Sequence, residues 1–424
     1  MLLLAGCNSA YFGTPELQGR PGMVQAGEDT ALWVLQKQEE IRRVGVGGGS
    51  TRRGGGTYWR EDTYYHFDVQ AFDPVAARPR WSRRLVTYSD PDLKPTQRKP
   101  SRVIGSAVSG RLLGQADGRV WVLVADNPYV LEAADGTLAF DRAGLLAQRP
   151  ELEGLLPSDP QLWRFDQGPV LTLADGRTVR LRGPGLEPED YVPRVAPAAA
   201  VPTWANGRAR VVPTPPMHPL VRHVPRGPDR WLALFNEVEA ADAVQDTFGD
   251  HALFPYSIQD AGPLARRRFH DVRLEQTTRF DDTYLRVASA EPIEGSPVLL
   301  KGRYVRDPVT GEALSPGEGD LLVWHLDRID SAGRLQLSRF DAQLRPRWQT
   351  PLPLSESGTA NPVSFWRIGE HLVVSGDWET RKDDIVTRAP HVASVSLADG
   401  SVQAWNLGTA APAGDSAAPA KPAQ

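Results

Sequence analysis

Two stretches of this sequence nearly repeat each other: FDPVAARPRW at residues 72–81 and FDAQLRPRW at residues 340–348. Both contain Arg-Pro-Arg-Trp, both begin with Phe-Asp, and both have a leucine four residues after the tryptophan. They differ in length by one residue, which falls in the central turn. A near-copy of this kind within one chain indicates a repeat architecture.

The residues around each copy predict a strand, a turn and a second strand. Apolar or aromatic side chains occupy every second position in residues 64–71 and again in residues 335–338, which is the pattern of a half-buried strand. An Asp then opens each turn, Asp73 in the first copy and Asp341 in the second, because its carboxylate can accept hydrogen bonds from backbone amides further along.

A tryptophan stands early in each returning strand, Trp81 in one copy and Trp348 in the other. A large aromatic side chain at this place buries much apolar surface. We therefore predict that these tryptophans lock one repeat unit against the next.

Weaker copies occur elsewhere in the chain. The sequence LADG appears at residues 173–176 and again at residues 397–400, each time between two alternating segments. In the second case Asp399 is followed by Trp405, within two residues of the tryptophan position of the strong copies. Asp-Gly dipeptides are strong hairpin signals, and two more lie at residues 117–118 and 135–136.

Composition limits the class of protein. The 424 residues carry a net charge of -4, so nothing indicates a nucleic-acid partner. Gly (39) and Pro (37) are plentiful and long helical patterns are scarce, which favours many short strands joined by turns. The single cysteine, Cys7, excludes a disulfide within the chain and a thiolate metal cluster.

These observations predict an all-β fold, a β-propeller of about seven or eight four-stranded blades. The alternative is a pair of tandem β-sandwiches, which does not require the repeated Arg-Pro-Arg-Trp. We expect a truncated lipoprotein signal and tether at residues 1–25 and the propeller at residues 26–408. A Pro-rich insertion is expected near residues 184–228, because proline removes a ladder donor, and a disordered Ala/Pro-rich tail at residues 409–424.

The spacing of Asp and Trp resembles the quinoprotein-type, tryptophan-docking β-propellers. In that family an Asp-x-x-Thr-Gly-x-x-x-Trp stretch joins two strands of each blade. The copies ending at Trp81 and Trp348 keep the Asp and the Trp but lack Thr-Gly. The sequence DPVTG at residues 307–311 keeps Asp and Thr-Gly, but Ser315 stands in the tryptophan position.

The sequence LAGC at residues 4–7 resembles the bacterial lipobox. In that family the signal peptidase cuts before the cysteine, which becomes acylated, and Asn8 in the following position favours the outer membrane. Six residues precede Cys7, whereas a signal peptide needs a basic region and ~7–15 apolar residues. We therefore expect that the natural start lies upstream or that the chain is trimmed. The alternative is a chance cysteine in an apolar N-terminus.

Together the two resemblances imply a periplasmic lipoprotein, similar to the propeller lipoproteins of outer-membrane assembly. Such a protein acts as a scaffold for other envelope proteins, with no cofactor and no catalytic chemistry. The alternative is a periplasmic enzyme or ligand sensor with a site on the propeller axis. Many pyrroloquinoline-quinone dehydrogenases carry an adjacent cysteine pair, which a chain with one cysteine cannot form.

Other polar clusters have simple structural interpretations that we favour. The glycine-rich segment at residues 45–56 fits no phosphate-binding motif and predicts a hairpin tip. His218 and His223 are five residues apart among prolines and predict a loop rather than a metal site. The aspartate pairs at residues 281–282 and 383–384 would point oppositely in a strand and predict turns, and the basic run at residues 266–268 predicts a solvated loop.

Overall fold

The computed structural model describes eleven stretches of more than five residues and three shorter ones. They are residues 10–46, 58–89, 108–192, 201–205, 208–212, 224–227, 229–244, 262–279, 282–307, 312–317, 319–329, 333–355, 363–382 and 385–407. Within them the chain forms antiparallel β-sheets, none of them closed, and two short α-helices. The predicted all-β class is therefore confirmed.

The chain divides into two compact units. Unit 1 comprises Met1–Val192 and Trp405–Gln424, and unit 2 comprises Pro193–Ala404. In the part of the chain that the structure describes, no helix has the length and apolar character needed to span a membrane.

Sheet I of unit 1 is built on the longest strand, β4. Strands β3, β4, β5 and β6 follow one another as an antiparallel meander, and β1 and β2 pair with β4 alongside β3. Its strands are β1 (Ala10–Phe12), β2 (Glu16–Leu17), β3 (Gly22–Ala26), β4 (Asp29–Val46), β5 (Tyr58–Asp73) and β6 (Arg78–Ser89).

The first strands differ from the tether predicted for residues 1–25. Residues 10–26 supply β1, β2 and β3, and the backbone of β4 supplies their partners. These strands show no alternating pattern because they are only two to five residues long. Backbone pairing with a long neighbour, rather than a buried face, holds such segments in a sheet.

Unit 1 also contains two further four-stranded meanders, sheet II (β7–β10) and sheet III (β11–β14). A short helix, α1, follows sheet II, and its first turn is capped by the Asp141 carboxylate, which accepts from the Gly144 amide. The elements are β7 (Gly110–Ala116), β8 (Arg119–Val124), β9 (Asn127–Glu132), β10 (Leu138–Asp141), α1 (Arg142–Gln148), β11 (Trp163–Phe165), β12 (Pro169–Thr172), β13 (Thr178–Arg182) and β14 (Glu187–Asp190).

Unit 2 contains a separate hairpin, β15–β16, and then sheets IV, V and VI. Strands β17–β24 form one eight-stranded sheet, which we divide into two four-stranded meanders, sheet IV (β17–β20) and sheet V (β21–β24), joined by a short pairing of β19 with β21; sheet VI (β25–β28) is a separate four-stranded meander. The elements are β15 (Val201–Ala205), β16 (Arg208–Val212), β17 (Val224–Pro225), β18 (Arg230–Phe235), α2 (Glu237–Val244), β19 (Arg266–Arg279), β20 (Asp282–Pro292), β21 (Leu299–Tyr304), β22 (Leu321–Leu326), β23 (Leu335–Phe340), β24 (Pro346–Pro351), β25 (Ser364–Ile368), β26 (His371–Lys382), β27 (Ile385–Ser396) and β28 (Val402–Asn406).

Apolar side chains fill the spaces between neighbouring sheets within each unit. In unit 1, Trp33 and Phe67 of sheet I share a core with Val122 of sheet II. In unit 2, Leu337 of sheet V shares a core with Val374 of sheet VI. Successive meanders thus bury their faces against one another, as the units of a repeat fold do.

Three hairpins are longer than the strands beside them. The β4–β5 pairing continues to Val46↔Tyr58, whereas β6 pairs with β5 only as far as Tyr64. In the same way β19–β20 extends beyond β18, and β26–β27 extends beyond β25. We call these extensions ribbons 1, 2 and 3.

Candidate functional site

The two strong repeat copies have the same geometry. In each, the Asp carboxylate accepts from two backbone amides of its own turn: Asp73 from residues 75 and 76, and Asp341 from residues 343 and 345, at 2.8–2.9 Å. The residue before Arg-Pro-Arg-Trp has a left-handed backbone in both copies, Ala77 at φ 51° and Leu344 at φ 62°. Each of these residues stands four positions before the tryptophan of its copy, so the two turns share a left-handed residue at the same place.

The second arginine of Arg-Pro-Arg-Trp connects each copy to its own sheet through an ion pair. Arg80 forms an ion pair with Asp29 at the start of β4, and Arg347 with Asp320 just before β22. Both aspartates therefore precede or open the second strand of their meander. Sequence analysis missed Asp29 and Asp320, because nothing in their local sequence marks them as partners of a distant turn.

The tryptophans contact the next sheet at a glycine. The ring of Trp81 lies over Gly136 in the β9–β10 turn, so a Cβ built on Gly136 comes within 2.6 Å of Cζ2 of the indole. The ring of Trp348 lies over Gly400 in the β27–β28 turn, where a Cβ comes within 2.8 Å of Cδ2. Each contact joins an outer strand to the last turn of the following meander.

The two receiving turns share one structure. Both glycines have positive φ, 69° for Gly136 and 75° for Gly400, and each amide donates to the carbonyl four residues back. Asp135 accepts from the amide and hydroxyl of Thr137, and Asp399 from those of Ser401, at 2.8–3.0 Å. The pKa of Asp399 is lowered to about 2 by these hydrogen bonds.

The turn that receives Trp348 is also held by hydrogen bonds to its backbone. The Trp348 indole N–H donates to the Leu397 carbonyl at 3.1 Å, and Arg339 donates to the same oxygen at 2.5 Å. In turn, Arg339 Nε and Nη2 both contact one oxygen, Oδ2, of the buried Asp320 carboxylate. The repeat turn, the tryptophan and the next turn are therefore parts of one connected network.

The remaining predicted residues are placed as follows. Trp405 lies half-buried in β28, after the Asp399 turn. Residues 266–268 open β19 instead of a solvated loop, and Arg267 is buried in an ion pair with Glu239 of α2. Cys7, His218, His223, the tail after residue 407, Asp281, residues 383–384, residues 308–311 and most of the glycine-rich segment lie outside the described residues.

A second cluster of polar side chains crosses sheet I. Glu40 on β4 accepts from His66 Nε2 on β5 at 2.8 Å, and His66 Nδ1 lies 2.9 Å from the Thr87 hydroxyl on β6. Because an ionised carboxylate only accepts, the proton is on Nε2 and Nδ1 accepts from Thr87. Arg42 donates to both oxygens of Glu40, which holds the pKa of that carboxyl below its usual value.

Burial lowers the pKa of His66, although Glu40 acts in the opposite direction. Burial outweighs the attraction of Glu40, whose carboxylate charge is already balanced by Arg42, so a neutral imidazole suffices. Thr87, His66, Glu40 and Arg42 thus satisfy one another, as a cross-strand ladder does. Among the described residues, no group of three or more His, Cys, Asp or Glu is arranged to hold a metal ion.

No protein-family model matches this chain, and no curated protein matches it in sequence.

The docking contact can be tested by adding one methyl group. We expect Gly136→Ala to cost about 1–3 kcal/mol more than Gly118→Ala, because the new methyl displaces the Trp81 indole. Gly118 is the matched control, since its φ of 72° is similar and a Cβ there meets nothing within 4 Å. Urea unfolding of both variants measures the difference. In a Trp81→Ala background the two substitutions should cost the same; a difference that persists there contradicts the docking role.

The buried histidines predict a pH dependence of stability. Burial lowers the pKa of His66, His270 and His325 from the ordinary value of 6.5. Below that value the unfolded chain binds protons that the folded chain does not, so the free energy of unfolding should fall as pH drops from 7 to 5. Each histidine contributes at most about 1.4 kcal/mol per pH unit.

This pH dependence can be assigned with one variant. His325 Nε2 accepts from the buried Ser338 hydroxyl at 2.9 Å, so His325→Gln keeps an acceptor but removes the titrating ring. Urea unfolding at pH 7.0, 6.0 and 5.0 should show a smaller slope for the variant than for the natural chain. A natural chain whose stability is constant over this range contradicts the expectation.

Proposed function

We propose that this chain is a six-bladed β-propeller, anchored by lipid to the bacterial outer membrane, that serves as a protein-binding scaffold. The propeller proposal is supported by six consecutive four-stranded meanders among the described residues, sheets I to VI. It is further supported by the shared docking geometry, in which an outer-strand tryptophan covers the last turn of the next sheet. The prediction of seven or eight blades divides the length outside the tether, the Pro-rich insertion and the tail into units of ~40–50 residues; the long hairpins and connections leave fewer meanders than this division gives.

The docking geometry also predicts a contact for Trp405 within unit 1. Trp405 lies in the outer strand of sheet VI, and the equivalent last turn of sheet I is the Asp73–Ala77 turn. Trp405 belongs to unit 1, and within that unit the Gln36 side-chain amide of β4 donates to the Leu407 carbonyl at 3.3 Å. We propose that Trp405 docks on the turn around Ala77, whose left-handed backbone takes the place of the receiving glycine.

The proposed contact between Trp405 and the turn around Ala77 can be tested by measuring the free energy of unfolding. If Trp405 docks as Trp348 does, Trp405→Ala and Trp348→Ala should each lower the free energy of unfolding by about 3 kcal/mol, the low end for a lost tryptophan because both rings are half-buried. Gln403→Ala, an exposed position on the same strand, is the control and should change it by less than about 0.5 kcal/mol. A Trp405→Ala variant that is as stable as the control would exclude docking.

The scaffold proposal rests on the three ribbons. Strands in globular proteins are usually 3–10 residues long, whereas β4 has 18 residues, β19 has 14 and β26 has 12. At the base of ribbon 2, Leu274 and Val287 still pack in a core; we propose that the length beyond the base of each ribbon serves as recognition surface. Extended ribbons of this kind offer paired backbone and alternating side chains to a partner strand or surface.

Photo-cross-linking in intact envelopes tests this proposal. A photoreactive amino acid replaces Glu61 on ribbon 1 or Arg388 on ribbon 3, both exposed, and matched controls replace the exposed turn residues Asp117 and Asp175. We expect ribbon positions to give one or more discrete protein adducts, which mass spectrometry identifies, and the controls to give none. Equal adducts from all four positions, or none from the ribbons, overturn the scaffold proposal.

A further inference from the structure

The edge strand β1 exposes two large aromatic side chains next to each other. Tyr11 is 68% exposed and Phe12 is 51% exposed. Because adjacent residues of a strand point to opposite faces, the two rings project on both sides of the sheet edge. The other strongly exposed large apolar side chains among the described residues are isolated in sequence: Leu138, Leu162, Val192, Val244 and Val298.

The charges beside β1 are paired with each other. β1 lies against β4 with Ala10 opposite Arg42 and Phe12 opposite Glu40. Arg42 pairs with Glu40, and the next arginine, Arg43, pairs with Glu61. Both arginines nearest to the two rings are therefore already paired with carboxylates.

The position of β1 along the chain sets its reach from the proposed anchor. Tyr11 follows Cys7 by four residues, and four residues of even fully extended chain span at most ~14 Å. If Cys7 carries acyl chains in a bilayer, this short distance keeps β1 close to the headgroup layer. Tyrosine and other aromatic side chains prefer this layer.

We propose that β1, through Tyr11 and Phe12, docks into the interfacial layer of the membrane that holds the lipid anchor. This inference rests on the proposed lipid attachment at Cys7. Acyl chains on Cys7 supply the attachment itself. The aromatic pair adds contacts in the interfacial layer, and it orients the edge of sheet I towards the lipid. Because both arginines beside β1 are paired and the whole chain has a net charge of -4, docking does not require anionic lipid.

The experiment uses the lone cysteine of the chain. An N-alkyl maleimide with a fourteen-carbon chain, a length of about that of myristate, is coupled to Cys7, and partitioning onto phosphatidylcholine vesicles is measured by sedimentation. We expect Tyr11→Ser/Phe12→Ser to partition at least ~10-fold more weakly than the unsubstituted chain. The control, Leu138→Ser/Leu162→Ser, removes two exposed apolar side chains elsewhere and should leave partitioning unchanged. Thermal melts confirm that all three proteins are equally folded.

Two results overturn the proposal. One is equal partitioning of the Tyr11→Ser/Phe12→Ser variant and the unsubstituted chain. The other is binding that appears only with phosphatidylglycerol in the vesicles and disappears in high salt, since that identifies an electrostatic contact. A diazirine-labelled phosphatidylcholine gives an independent readout: it should label the peptide that contains β1 and not the peptide that contains the β7–β8 turn.

Lipid attachment in the cell is tested separately. The gene with its natural upstream sequence is expressed with an alkyne fatty acid, and incorporation is compared with a Cys7→Ser variant. Absence of label overturns the lipid anchor while leaving the vesicle result as a measurement on β1 itself. Labelling without an effect of Tyr11 and Phe12 keeps the anchor and overturns the docking of β1.

Discussion

The packing of an indole ring on a glycine is the contact on which the arrangement of neighbouring sheets depends. A Cβ at Gly136 or Gly400 would lie inside the contact distance of the ring above it. Both glycines also have a left-handed backbone, which other residues adopt only at a cost. The contact therefore requires both a tryptophan in one sheet and a glycine in the next sheet. The two residues are about one repeat apart in sequence.

Charged groups hold this contact in place. Arg80 and Arg347 tie the repeat turns to Asp29 and Asp320, so the strand that carries each tryptophan is fixed to its own sheet before it reaches the next. Exposed ion pairs contribute little to stability, and Arg347 and Asp29 are both largely exposed. The buried Asp320, which binds two arginines, is the member of the network whose loss leaves the largest unpaired charge.

Much of the fold follows from local sequence, and the rest depends on distant partners. The repeated Arg-Pro-Arg-Trp, the alternation before Phe72 and Phe340 and the Asp-Gly dipeptides predicted antiparallel strands and turns. The identity of Gly136 as the partner of Trp81 was not predictable, because the pairing joins two sheets and neither residue marks it locally. The sequence predicts a tether where β1 to β3 form, because strands held by backbone pairing leave no pattern of side chains in the sequence. The Glu40–His66–Thr87 ladder was missed for a related reason, since its members come from three strands.

The contact between Trp81 and the buried Trp33 has a spectroscopic consequence. Their ring centroids are 4.8 Å apart and their planes are nearly perpendicular, at 88°. Two indole transitions at this separation couple, and the pair gives an exciton signal in circular dichroism that neither ring gives alone. The sheet I core therefore contains an intrinsic optical reporter, which distinguishes displacement of one ring from unfolding of the whole unit without any added label.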